Sequence, residues 1–152
     1  MRAHVEGLSR RGITAHAIQL PVGRAEKAVA IYERQVEALG AAVIGGHSYG
    51  GRVASMLATQ ERPLGLVLLS YPLHRPGNPE WETRIPHWPD IKCPVLLLSG
   101  ESDPFARIDL LRMAVERLPD AQLVTYPRIG HGLSPILEAA LDKVAEFVRR
   151  LG

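Results

Sequence analysis

Two rhythms of apolar residues alternate along this chain. Short, nearly continuous apolar runs occupy 41–46, 64–70 and 94–100, the last two reading Leu-Gly-Leu-Val-Leu-Leu-Ser and Pro-Val-Leu-Leu-Leu-Ser-Gly. Strands covered on both faces have this character, because neither side of the pleat meets water. Segments 12–20 and 122–126 read as further strands, the first stopping at Pro21. Between them, apolar residues recur at three- and four-residue steps. Val29, Tyr32, Val36 and Leu39 do so in 25–39, Ile108, Leu111, Val115 and Leu118 in 108–118, and Leu137, Leu141, Val144 and Val148 in 134–151. That spacing lines up side chains on one side of a helix. Another helix is expected over 48–59, where Gly50, Gly51, Ala54 and Ser55 permit close packing. Strands alternating with helices predict an α/β fold, a three-layer αβα sandwich around a mostly parallel sheet.

One stretch breaks the alternation. Residues 71–91 hold five prolines, both tryptophans, His74 and His87, with no clear period. The stretch leaves the C-terminal end of a strand, the edge where open α/β sheets bind ligands, and it reads as a short irregular cap. Trp81, Trp88 and His74 are candidate substrate contacts; equally, the tryptophans can serve only to pin the loop to the body.

Composition narrows the field. At 152 residues and 46% hydrophobic the chain is long enough for one domain with one core. Net charge is +2 and the basic residues are scattered, with no basic stripe interleaved with aromatics, so a nucleic-acid partner is not expected. No apolar run approaches the roughly 20 residues that span a bilayer, and the N-terminus lacks the apolar core of a signal peptide. The lone Cys93 allows no internal disulfide and fits a reducing compartment, so a cytoplasmic location is the expectation. In front of Pro94, at the start of a buried strand, it reads as a small core residue. No spacing of histidine, cysteine and carboxylate suggests a metal, and no cofactor is implied.

The chemistry lies in Gly46-His47-Ser48-Tyr49-Gly50, placed between a strand and a helix. G-x-S-x-G at such a junction is the nucleophile elbow, a sharp turn that lifts the serine above the sheet edge. Strained backbone at the serine predicts glycine two positions either side, where a Cβ would collide. The Tyr49 amide then points where an oxyanion would form. A serine hydroxyl needs a base, and the base needs an orienting acid. Asp103 follows the strand at 94–100, and His131, between Gly130 and Gly132, follows the strand at 122–126. Both therefore reach the same rim as Ser48, in the chain order Ser, Asp, His that this scaffold uses. Glu101 is the alternative acid, but it is close to the strand end while Asp103 is further into the turn. His131 can also be read as an ordinary loop histidine. His47, next to the serine, is expected to pack beneath the site.

With these residues in place, the chain resembles an α/β-hydrolase. More narrowly it is similar to the dienelactone-hydrolase-like group in Tyr71-Pro72-Leu73-His74-Arg75-Pro76-Gly77 and Ser99-Gly100-Glu101-Ser102-Asp103-Pro104-Phe105. The resemblance implies a serine-hydrolase site of Ser48, Asp103 and His131 and a small-molecule acyl substrate. It does not carry over a lactone substrate, because dienelactone hydrolases proper have cysteine where this chain has Ser48. It also implies strands before residue 12, one of them lying between the strands at 12–20 and 41–46 and followed by a loop giving a second oxyanion amide. Residues 3–11 read instead as the end of the helix after that loop. The expectation is therefore an N-terminally truncated fold, a fragment or a misassigned start, with either a gap one strand wide or direct pairing of the flanking strands. An exposed edge there would offer a route to dimerisation.

The leading functional expectation is hydrolysis of an ester, thioester or similar acyl bond. A non-catalytic interaction module that keeps the hydrolase frame, and an acyltransferase, are the alternatives.

Overall fold

The computed structural model describes all of residues 1–152. Four strands form one parallel sheet in the order β1-β2-β3-β4: β1 Val43–His47, β2 Gly65–Leu69, β3 Val95–Gly100 and β4 Ala121–Tyr126. Five helices cover it: α1 Arg2–Ser9, α2 Ala25–Leu39, α3 Tyr49–Gln60, α4 Ile108–Ala114 and α5 Leu137–Leu151. This is the α/β, three-layer arrangement that the apolar rhythm predicts. No helix is long and apolar enough to cross a membrane.

Alternation along β2 and β3 splits the core in two. Leu66, Leu68, Val95 and Leu97 face one layer with α2, α3 and the 71–91 segment, while Val67, Leu69, Leu96 and Leu98 face α5. All five residues of β2 and all six of β3 are buried, which accounts for their unbroken apolar sequence. Burying a leucine side chain there stabilises the fold by about 2 kcal/mol.

The 71–91 segment is pinned down by its large side chains. Trp88 and Ile85 are fully buried, and Trp88 meets Tyr71 edge-on with ring centroids 5.0 Å apart. The Tyr71 hydroxyl donates to the Arg84 carbonyl at 2.9 Å. Two short 3₁₀ turns, Glu82–Arg84 and Trp88–Asp90, interrupt the segment, the second holding Pro89. Burial, reinforced by the Arg52 guanidinium, pushes the His87 imidazole down to about 4. It is therefore neutral at pH 7 and donates from Nε2 to Ser55 Oγ at 2.8 Å, since the Ser55 hydroxyl itself donates to the Arg52 carbonyl.

The expected strand at 12–20 does not form. Its side chains alternate between half-buried and exposed, as in Ile13, Thr14, Ala15 and His16, yet no main-chain hydrogen bond is made by Thr14 to Leu20 with any other backbone group. The physical reason is distance from a partner. A cavity of about 460 Å³, lined by Ile13, Ile18, Val36, Val43, Gly45 and Val144 among others, separates the segment from β1. Of the two expected outcomes, a gap is found and direct pairing is not. At β1 the Tyr32 hydroxyl takes the place of a neighbouring strand. It donates to the Gly45 carbonyl at 3.0 Å and accepts from the Gly45 amide at 3.2 Å.

The remaining boundaries differ only at their ends. Helix 108–118 is α-helical to Ala114 and tightens to a 3₁₀ turn over Val115–Arg117. The last helix opens with a 3₁₀ turn at Ser134–Ile136. Residues 3–11, expected to end a helix, do form one, α1, and Arg11 just past it bonds α5 through Asp142 at 2.8 Å and Glu138 at 2.6 Å.

Candidate active site

The turn from β1 into α3 is strained at one residue. Ser48 has φ 53° and ψ −118°, outside the regions ordinary residues favour. Its backbone is gripped on both sides: its amide donates to Leu69 O at 2.8 Å and its carbonyl accepts from Gly51 N at 2.9 Å. A Cβ on Gly46 would run into the Gly50 carbonyl carbon and approach Gly51 N to 2.6 Å, so glycine is required there. The same requirement was expected of Gly50, but a Cβ at Gly50 meets nothing within 4 Å. The elbow turns sharply enough to bring the α3 backbone over Gly46, while Gly50 itself faces open space. As the first residue of α3, Tyr49 has an amide with no acceptor within the helix.

Three side chains from three strand ends meet at this rim. Ser48 Oγ lies 2.8 Å from His131 Nε2. His131 Nδ1 lies 2.8 Å from Asp103 Oδ2. An ionised carboxylate only accepts, so Nδ1 carries the proton and Nε2 is free to accept the serine proton. Asp103 is buried, 3% exposed, and its second oxygen accepts the Phe105 amide at 2.8 Å. Both carboxylate oxygens are thus held, and the acid cannot rotate without losing a bond. Glu101 is engaged elsewhere, accepting from Thr125 Oγ1 at 2.8 Å. The Phe105 ring lies against the His131 ring, centroids 4.5 Å apart. Chemically, this arrangement can draw a proton from a hydroxyl and stabilise the resulting imidazolium.

Beyond these contacts, the sequence itself matches a known family. A model described as an alpha/beta hydrolase domain covers residues 13–146. The chain belongs to the α/β hydrolase family. Solved structures share its fold. A monoacylglycerol lipase of Paleococcus ferrophilus superposes with TM-score 0.79 at 16% identity, over 99% of this chain and 90% of that one. An esterase of Pyrococcus furiosus gives 0.79 at 18% identity, over 100% and 76%. A thermophilic esterase of Thermogutta terrifontis gives 0.71 at 18%, over 99% and 86%. No curated protein matches the chain by sequence.

In this α/β hydrolase the cap residues do not join the rim. No hydrogen bond or ring contact links Trp81, Trp88 or His74 to Ser48, Asp103 or His131. Trp88 is sealed in the core, and Trp81 is buried under the guanidinium of Arg117, 5.1 Å from its ring centre. His74 is buried with both ring nitrogens committed: Nδ1 donates to Arg75 O at 2.8 Å and Nε2 accepts the Arg107 amide at 3.0 Å. His74 ties the cap to the loop that carries Asp103, while Trp81 packs under Arg117 and Trp88 against Tyr71, so the residues expected to contact substrate are engaged in holding the cap down. Their mixed aromatic and proline-rich setting looks the same in sequence either way. A Cβ on Gly130 or Gly132 meets nothing within 4 Å, so no collision demands them. Sequence reasoning placed His47 beneath the site but missed its partner, the main-chain carbonyl of His131. Cys93 is a buried free thiol, as its position before Pro94 suggested, and burial pushes its pKa up.

Proposed function

We propose that this α/β hydrolase is a serine hydrolase acting on an ester, thioester or similar acyl bond of a small molecule. The observation that carries the reading is the continuous relay of Ser48 Oγ, His131 and Asp103, with 2.8 Å at each link. In the first step Ser48 Oγ bonds to the acyl carbon as its proton passes to His131 Nε2. Asp103 holds the imidazolium. The negative charge gathered on the carbonyl oxygen is met by the Tyr49 amide. Collapse of this intermediate expels the leaving group, which takes the proton back from Nε2. Water, deprotonated by the same nitrogen, then releases the acid and restores Ser48.

The buried free thiol of Cys93 is consistent with action in a reducing compartment such as the cytoplasm. An alkyl fluorophosphonate, which phosphonylates activated serines, tests the reading. The wild-type chain should be labelled on Ser48, and Ser48→Ala should lose labelling and at least about 10³-fold of ester turnover. A folded wild-type protein that stays unlabelled and inert toward short- and long-chain p-nitrophenyl esters would overturn it.

A further inference from the structure

We propose that His47 is a positioning residue, an imidazole strut that holds the main chain of His131 so that its ring stays between Asp103 and Ser48. The proposal rests on the serine-hydrolase reading above and adds to it a residue outside the relay. His47 Nε2 lies 3.3 Å from the carbonyl oxygen of His131, and the two rings sit 5.5 Å apart at a tilt of 56°. A carbonyl can only accept, so Nε2 is the protonated nitrogen of His47. Burial disfavours the charged ring of His47 and pulls its pKa below the usual histidine value, which fits a neutral strut.

The segment it grips packs its Gly130 carbonyl on Gly100 but has no other main-chain hydrogen bond. Gly130, His131 and Gly132 make no backbone–backbone hydrogen bond. The nearest such contacts are Ser102 N to Ile129 O at 2.9 Å on one side and Ile136 N to Leu133 O at 3.0 Å on the other. Glycine on both sides of His131 leaves its peptide groups with the widest choice of conformation. The ring is held at its tips by Ser48 and Asp103 and flanked by Phe105, but those bonds can be kept only while the backbone behind the ring stays put. The strut comes from the residue next to the serine. One strand end therefore fixes both the hydroxyl and the carbonyl behind its base, so the distance between them does not depend on the glycine-flanked loop.

Because a displacement of about 1 Å at a reacting group can cost about 100-fold in rate, removing the strut should act on turnover and not on substrate binding. His47→Ala should lower kcat for a p-nitrophenyl ester by about 10- to 100-fold with KM changed less than about twofold. His47→Gln, whose side-chain amide can put an N–H near the place of Nε2, should recover most of that loss. His47→Asn, one bond shorter, should not. The spectroscopic companion is the low-field proton resonance of His131 Nδ1–H bonded to Asp103. It should be sharp in the wild type and in the Gln variant, and broadened or lost in Ala and Asn. Thermal unfolding of each variant checks the fold, and the Gln–Asn pair keeps the test decisive if Ala does not fold.

Unchanged kcat in the Ala and Asn variants, or a Gln variant as impaired as Asn, would overturn the proposal. So would a rise in KM at constant kcat, which would make His47 a substrate contact. An inert, unlabelled wild type that still shows the resonance, lost in His47→Asn and kept in His47→Gln, would sink the hydrolase reading and leave the strut standing.

Discussion

The two halves of the sheet are built to different standards. Toward β3 and β4 every strand has a partner in register, and from Val95 to Gly100 no residue of β3 is exposed. Beyond β1 the ladder stops, and an open slot separates Val43 and Gly45 from Ile13 and Ile18. Yet the candidate nucleophile stands at the end of β1, on the incomplete side. The difference teaches that the elbow does not need a full sheet around it. One ladder partner, β2, supplies the Leu69 carbonyl that fixes Ser48, and α3 packs behind. The Tyr32 hydroxyl satisfies the one central residue of the free edge that would otherwise be left unpaired.

The contrast should be largest in amide exchange. Amides of β2 and β3 should exchange only through global opening, while Thr14 to Leu20, lacking backbone acceptors, should exchange orders of magnitude faster. Equal protection, measured by hydrogen–deuterium exchange, would mean that the slot closes in solution. Next in size is core truncation. Leu97→Ala, at 1% exposure in the middle of the sheet, should lower unfolding stability by about 3 kcal/mol. Ile18→Ala, across the slot, should lower it by about 1 kcal/mol or less. Urea titrations giving the same loss for both would erase the distinction. Smallest is Tyr32→Phe, which strips the Gly45 amide and carbonyl of their shared partner. It should lower stability by about 1 kcal/mol, because water entering the slot can replace part of the lost bonding. A neutral result would show that Tyr32 contributes apolar surface only.

Much of this was legible beforehand, and unevenly so. The buried strands, the amphipathic helices and the elbow are local signals. Leu-Val-Leu-Leu, bounded by glycine and serine, reads as a core strand, and the order of Ser48, Asp103 and His131 at the ends of β1, β3 and β4 follows once the strands are placed. The 12–20 segment carries the pattern of a strand, but pattern describes which side chains face the core and says nothing of whether a partner is present. The cap misled for a related reason. Trp81, Trp88 and His74 beside prolines suit a substrate wall and a pinned loop equally, and only their burial tells the two apart. The assumed need for glycine at position 50 failed because the collision depends on which way α3 leaves the turn.

By itself, then, the order of residues determined the buried strands of the sheet, where the serine turn falls, and which loops bring an acid and a histidine to the same rim, since each of these depends on periodicity and on neighbours a few positions away. Tertiary structure alone decided that Asp103 rather than Glu101 faces His131, that His47 reaches the carbonyl behind that ring, and that residues 14–20 stay without a ladder. Each of those outcomes turns on ångström-scale distances between parts of the chain far apart in sequence, and hydrogen bonds exist or vanish within a fraction of an ångström.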